Sequence, residues 1–402
     1  KQLSKIMLAA VASVALAAPA FAWTFGASGT STANFNSTST TATTGATALS
    51  SGGVTSSASS LKLSSSHTDG TKTLSLSYTL DWDGNLDETI ALSGASTVGA
   101  WTASGDISYN RDRPGCYQGD NGTAVTTNAA TAGCQGQTGE DTTAVTLTDG
   151  TMTIKLGDAS HLSGQNVSSS GAAAGAITMN SSGMDASVGA AVDGFHGVSL
   201  GYKISDTMSA TVAYQSSSEE GDMMGAGAYQ DGEETHGTTG FGLGFSGTFG
   251  PATIGFTQAS ATTANADGTA ANDLLSTSSS TMGLGVKIDL GDIDPFISYG
   301  SFTSDGASSK NGLATSGSEF GLTYALGSDS VVIYIGSTEE TVTKAGTAGK
   351  PLSKSAMELG YNTMVGPASL KVGYGSQTHA QTDGATDGYS MTDIEVALSY
   401  SF

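Results

Sequence analysis

From Phe195 to the C-terminus, apolar residues occupy every second position in runs of about ten residues. The clearest run is Thr281 to Leu290. Met282, Leu284, Val286, Ile288 and Leu290 share one parity, and Gly283, Gly285, Lys287 and Asp289 share the other. Successive side chains of an extended chain point to opposite faces, so this spacing predicts a strand with one apolar and one polar face. The pattern recurs at Val198, Leu200, Tyr202 and Ile204, at Phe320, Leu322, Tyr324 and Leu326, and in a final run Ile394, Val396, Leu398, Tyr400 and Phe402. Tight turns are predicted at Ser205-Asp206, Gly250-Pro251, Gly291-Asp292, Ser328-Asp329 and Gly366-Pro367. Long polar connections are predicted over 218–235, 261–279, 304–315, 340–353 and 378–387. Short and long connections alternate strictly, which a β-sandwich has no reason to do and a membrane-spanning antiparallel β-barrel does. Eleven strands follow from 195 to 402.

The N-terminal part is patterned less regularly. Residues 1–22 predict a cleaved signal peptide: Lys1 and Lys5 precede the apolar stretch Ile6 to Ala18, and Ala20-Phe21-Ala22 is a small-x-small cleavage site. Trp23 to Phe35 is a first strand. Thr55–Ser64 with Thr71–Trp82, and Thr142–Thr148 with Thr151–Gly157, are hairpins, the second around Asp149-Gly150. The expected architecture is therefore all-β, a transmembrane antiparallel barrel of sixteen strands with short periplasmic turns and long external loops. If Leu86–Gly94 and Thr97–Asn110 belong to the wall, the count is eighteen; otherwise they form a hairpin riding on an external loop. Residues 23–402 read as a single barrel domain, with 83–141 a loop or hairpin elaboration and 158–194 a long external segment rich in Gly, Ala and Ser.

Composition narrows the function. No second apolar run reaches the ~20 residues a transmembrane helix needs. Glycine, at 56 of 402 residues, is about twice as frequent as usual. The net charge of −22 excludes nucleic acid as a partner, because phosphate binding needs clustered Lys and Arg. The five histidines, His67, His161, His196, His236 and His379, stand in no catalytic frame, so the chain is not read as an enzyme. Cys116 and Cys134 share one polar stretch, which in an exported chain predicts a loop disulfide worth roughly 3 kcal/mol in chain entropy. No metal site and no cofactor is expected. Loose Ca²⁺ binding at Asp231-Gly232-Glu233-Glu234 or Glu339-Glu340 is the weaker reading against solvated loop charge.

The hairpin Ala144-Val145-Thr146-Leu147-Thr148-Asp149-Gly150-Thr151-Met152-Thr153-Ile154-Lys155-Leu156-Gly157-Asp158 resembles the strand pair before the constriction loop of alphaproteobacterial, Rhodobacter-type general diffusion porins. The Leu61-Lys62-Leu63 hairpin resembles that family's early strands. The ending Ile394 to Phe402 is similar to the terminal strand of many outer-membrane barrels. The resemblance implies sixteen strands, a constriction loop folded into the lumen after the fifth, and passive diffusion of ions and small hydrophilic solutes. It also implies a homotrimer in the Gram-negative outer membrane, among phospholipid and lipopolysaccharide, assembled by the barrel assembly machinery with Phe402 as signal. Arg111 and Arg113 are the only arginines, so the family's arginine-lined eyelet has a weak counterpart here.

Strand parity nominates the pore lining. Lys62, Lys155, Lys203, Lys287 and Lys371 each have apolar strand neighbours and so face inward, as do Asp81, Glu319, Asp393 and Glu395. The inserted loop would add Asp158, His161 and Asp185. Each is read either as part of a selective constriction or as an ordinary polar residue of the wall. Outward aromatics near strand ends, Trp82, Tyr202, Tyr299, Tyr324, Tyr361, Tyr374 and Tyr400, suit the lipid–water boundary. The competing class is a secreted or surface-anchored Gly/Ser/Thr-rich structural or adhesive β-protein without a pore, for which the polar stretch 26–60 speaks most.

Overall fold

The computed structural model describes residues 23–42, 49–82, 86–111, 139–159, 161–162, 195–220, 235–266, 277–305, 313–342, 352–381 and 388–402. They form one sheet of eighteen strands. In chain order these are β1 (Trp23–Ala42), β2 (Leu49–Asp69), β3 (Lys72–Trp82), β4 (Leu86–Val98), β5 (Trp101–Arg111), β6 (Gly139–Thr148), β7 (Met152–Ala159), β8 (Phe195–Ser205) and β9 (Met208–Glu220). They continue with β10 (Thr235–Phe249), β11 (Ala252–Ala266), β12 (Thr277–Ile288), β13 (Ile293–Asp305), β14 (Leu313–Leu326), β15 (Asp329–Val342), β16 (Leu352–Val365), β17 (Ala368–Gln381) and β18 (Tyr389–Ser401). Each strand pairs antiparallel with the next, and β1 pairs with β18, so the sheet closes into a barrel.

The count of eighteen replaces the expected sixteen. β4 and β5 are wall strands, not an elaboration of an external loop: β4 pairs with β3 over eleven positions and β5 with β6 over ten. The two strands are held in the wall by continuous ladders to β3 on one side and β6 on the other, so that their backbone groups are paired within the sheet. The first two strands also reach further than the apolar alternation marks. β1 runs to Ala42 and β2 begins at Leu49. Their outer ends carry Ser, Thr and Gly on both faces, so the stretch has hydrogen bonds but no hydrophobic period.

The eight short turns lie at the end of the barrel that also holds Trp23 and Phe402, and seven of them contain a glycine with positive φ. The remaining turn, β8 to β9, uses Asp206-Thr207, and Asp206 pairs with Lys203 at 2.7 Å. In the β6–β7 turn, Asp149 Oδ1 accepts the backbone N–H groups of Met152 (2.7 Å) and Thr151 (2.8 Å). Those two donors, Met152 first, hold its carboxyl below the usual aspartate range. A depressed carboxyl contributes stability above its ordinary pKa and loses it as pH falls through the lowered one. Asp149→Ala should therefore lower the urea midpoint of unfolding at neutral pH, and the gap from wild type should close in strong acid. A gap that persists or widens there would contradict this.

The two faces of the wall are inverted relative to a water-soluble core. Outward positions are large, apolar and exposed, for example Ile297 (56%), Ile335 (49%), Leu359 (49%) and Ile394 (49%). Inward positions are small or polar and mostly buried. Towards the long-connection end the outward residues become Ser318, Ser337, Ser355 and Thr378, which pair in one row across β14 to β17. The apolar band is thus bounded above by hydroxyls, as for a wall that crosses a hydrocarbon layer.

Closure is completed at the C-terminus. Gly29 N–H donates to Phe402 O (2.9 Å) and Phe402 N–H to Gly29 O (3.0 Å). The Phe402 ring lies over Gly29, where an added Cβ would stand 2.5 Å from Phe402 Cζ.

Candidate pore and its inner wall

The inner face of β13 to β18 and β1 carries a dense set of carboxylates. Register places Phe296, Gly321, Tyr334, Glu358, Gly375, Asp393 and Thr38 in a single cross-strand row. Glu358 and Asp393 thus flank a glycine, and the aromatics of the same row lie over Gly321, with an added Cβ there 3.0 Å from Phe296 Cδ1. Asp393 Oδ1 accepts Thr38 Oγ1–H (2.7 Å) and Asn36 Nδ2–H (3.3 Å). In the next row Ser298 Oγ–H donates to Glu319 Oε2 (3.1 Å). Glu395 faces inward between Gly373 and Asn36. All four acids, Glu319, Glu358, Asp393 and Glu395, are buried. Nearer the long-connection end, the His379 ring stacks on Tyr389 with centroids 4.1 Å apart and its Nε2 lies 2.9 Å from the Tyr389 hydroxyl oxygen, with the Gln377 amide nitrogen against the same ring nitrogen.

Of the residues nominated by parity, Lys62 lies between Ser28 and Thr79, Lys155 between Thr146 and the buried Ser199, and Lys371 between Asn362 and Ala397. Lys203 and Lys287 sit at the short-turn mouth, where Lys203 is drawn to Asp206 and Lys287 approaches Asp294 at 3.8 Å. The Lys203 hydrogen bond and charge lower the Asp206 carboxyl. Asp81 is on the inner face between Ser60 and Asp87. Glu319, Glu358, Asp393 and Glu395 share one arc, in which Lys354 and Lys371 also stand, whereas Lys62, Lys155 and Lys203 lie on others. Asp158 is a correction. It belongs to β7, opposite His196, because the β7–β8 ladder runs on to Ala159. Asp185, Arg113, Cys116 and Cys134 lie outside the described residues. The strand position of Glu358, between outward Met357 and Leu359, satisfies the same parity test and was missed, as were Lys354, Gln215, Gln377 and His379. Tyr202, Tyr299, Tyr324, Tyr361, Tyr374 and Tyr400 are outward and exposed; Trp82 ends β3.

The chain turns inward after β7. Gly157 adopts φ +109° within the strand, and the β6–β7 ladder ends at its pair with Ala144. His161 Nδ1 lies 2.9 Å from Ser199 Oγ and its Nε2 lies 3.2 Å from Gly157 O. Leu162, 1% exposed, clusters with Ala213 and Ala259. Both alanines share the inner parity of β9 and β11, so Leu162 rests on the lumen side of the wall.

A closed antiparallel barrel with an apolar exterior and a polar, carboxylate-bearing inner face defines the architecture of outer-membrane channels. Solved structures of that architecture match nearly the whole chain. An anion-selective porin from Comamonas acidovorans superposes with TM-score 0.53 at 13% identity, covering 94% of this chain and 100% of its own. The outer membrane channel DcaP of Acinetobacter baumannii gives 0.51 at 13% identity, with 94% and 97% covered. OpdQ of Pseudomonas aeruginosa gives 0.52 at 10% identity, with 94% and 98% covered. At such identities the likeness is one of fold. No protein-family model and no curated protein sequence matches the chain.

Proposed function

We propose that the chain is an outer-membrane porin of a Gram-negative bacterium, a non-enzymatic channel for passive diffusion of ions and small hydrophilic solutes. The observation that carries this is the inversion of the wall around a closed ring of eighteen strands: lipid-compatible outside, acids and lysines inside. The finer reading follows the Rhodobacter-type resemblance of the 144–158 hairpin: a homotrimer among phospholipid and lipopolysaccharide, assembled through the Phe402 ending, with the β7–β8 connection narrowing the lumen. The constriction then follows the seventh strand rather than the fifth. The loop disulfide Cys116–Cys134 belongs to the same proposal.

The selectivity we infer is a weak cation preference. The net charge is −22, and four inward acids crowd one arc of the wall. The inward lysines oppose it. A potential summed over many loop and wall acids fades as the screening length shrinks from ~30 Å at 0.01 M to ~3 Å at 1 M salt. Zero-current potentials across planar bilayers in a salt gradient should then be of cationic sign in dilute salt and weaken in concentrated salt. Anionic sign at both concentrations would overturn the preference and direct mutation to Lys62 and Lys155. Absence of stepwise conductance, with the protein recovered in the soluble fraction, would overturn the porin reading itself in favour of a structural or adhesive β-protein.

A further inference from the structure

The inner face of the barrel is not evenly wetted. From β8 to β18, inward side chains away from the short-turn mouth are covered. Ser199, Thr257, Thr281, Ser298, Thr338 and Gln377 are between 1% and 7% exposed. The carboxylates of that arc share this burial, with Asp393 at 2% and Glu395 at 7%. From β2 to β7 the reverse holds. Ser64 is exposed, and Ser60, Ser66, Ser77, Ser93 and Ser104 are half-buried. Among the described residues, Ala144 is the one buried inward position of these six strands. A side chain that points into the lumen keeps contact with water only where the lumen is open, so the two sectors mark its filled and its open side.

The open side has its own chemistry. Register sets Ser66, Ser75, Ser93 and Asp106 in one cross-strand row and Ser64, Ser77, Ala91 and Ser108 in the next. These side chains are too short to obstruct a passage, and each hydroxyl can donate or accept. Towards the short-turn mouth the hydroxyls pair across strands, Thr97 with Thr102 at 2.9 Å and Thr148 with Thr153 at 3.0 Å, which keeps them against the wall. Four charges stand in this lining. Lys62 and Asp106 are exposed, and Asp81 and Lys155 are half-buried.

On the reading that the chain is a pore, we infer that solutes cross it along the hydroxyl-lined wall of β2 to β7, and that the charges they meet at contact distance are Lys62 and Asp106. The buried acids of β14 to β18 act on ions only through their long-range potential, which salt screens. Lys62 and Asp106 act locally, so their influence survives in concentrated salt. Small neutral polyols and sugars are the solutes this lining suits, because its hydroxyls replace lost water contacts without binding charge.

The test uses the full-length protein, folded and reconstituted, with gel heat-modifiability to establish that each variant retains its barrel. In a chain carrying Cys116→Ser and Cys134→Ser, single cysteines are placed on the open side (Ser77→Cys, Ser93→Cys) and on the filled side (Thr257→Cys, Thr338→Cys). A water-soluble, positively charged methanethiosulfonate is then added. Modification at 77 or 93 should cut single-channel conductance about 1.5-fold or more and slow liposome swelling in a neutral pentose. The 257 and 338 cysteines should show no change. In the otherwise unaltered protein, Asp106→Asn should lower the cation-to-anion permeability ratio about 2-fold and Lys62→Gln should raise it, in concentrated as well as dilute salt. Block from 257 or 338, no block from 77 and 93, or unchanged permeability ratios in both charge variants would each overturn the inference while leaving the porin reading intact. A wild-type protein that forms no channel would overturn both.

Discussion

Deleting Phe402 should leave the barrel largely unassembled, with a large fall in heat-modifiable protein in the outer-membrane fraction. The residue makes the last backbone pair of the closing seam, exchanging both hydrogen bonds with Gly29. Its ring also covers Gly29 and stacks beside Tyr400 at 6.2 Å. A seam that frays at this end exposes strand edges at the membrane boundary, where unsatisfied backbone groups each cost several kcal/mol in lipid. Gly29→Val tests the same latch from the partner strand. Its Cβ would stand 2.5 Å from the Phe402 ring, which can swing away, and 2.9 Å from Ser60 O, which cannot. Both variants should fail to close. If the truncated protein accumulates folded at wild-type levels, the seam does not depend on this contact.

Gly157→Ala should be the most destabilising single methyl in the described wall. The position needs φ +109°, which an L side chain rarely adopts, at a cost on the order of 1–3 kcal/mol. The added Cβ would also fall 2.1 Å from Thr143 O, a backbone atom of β6 that cannot move without breaking the ladder. The strand must either shift or lose the inward turn that carries His161. Gly105→Ala is the matched control, since its Cβ would meet only Ala144 O at 3.8 Å. Unfolding in urea should show a clear loss for Gly157→Ala and almost none for Gly105→Ala. Equal midpoints would show that the conformation at 157 is not required.

The eleven strands from β8 to β18 were legible because one face of each meets hydrocarbon and the other water, so the physical difference between the faces is written into alternate residues. Turns were legible where Gly, Pro or Asp marks them. Parity likewise nominated lysines and acids for the inner face, though not Glu358 or Lys354. β1 and β2 were only partly legible, since beyond the apolar band both faces are polar and no period distinguishes strand from loop; pairing with β18 and β3 decides it. The β4–β5 hairpin had a readable alternation, but whether it stood in the wall depended on its pairing with β3 and β6, which local pattern does not reveal. The same holds for the site. That Glu358 and Asp393 share a row across Gly375 is a consequence of register between three strands. That Leu162 belongs on Ala213 and Ala259 has no local signal, because a leucine in a polar stretch acquires meaning only from the bare wall it covers. Local alternation reports which solvent each face meets, while register and closure decide which distant residues meet each other.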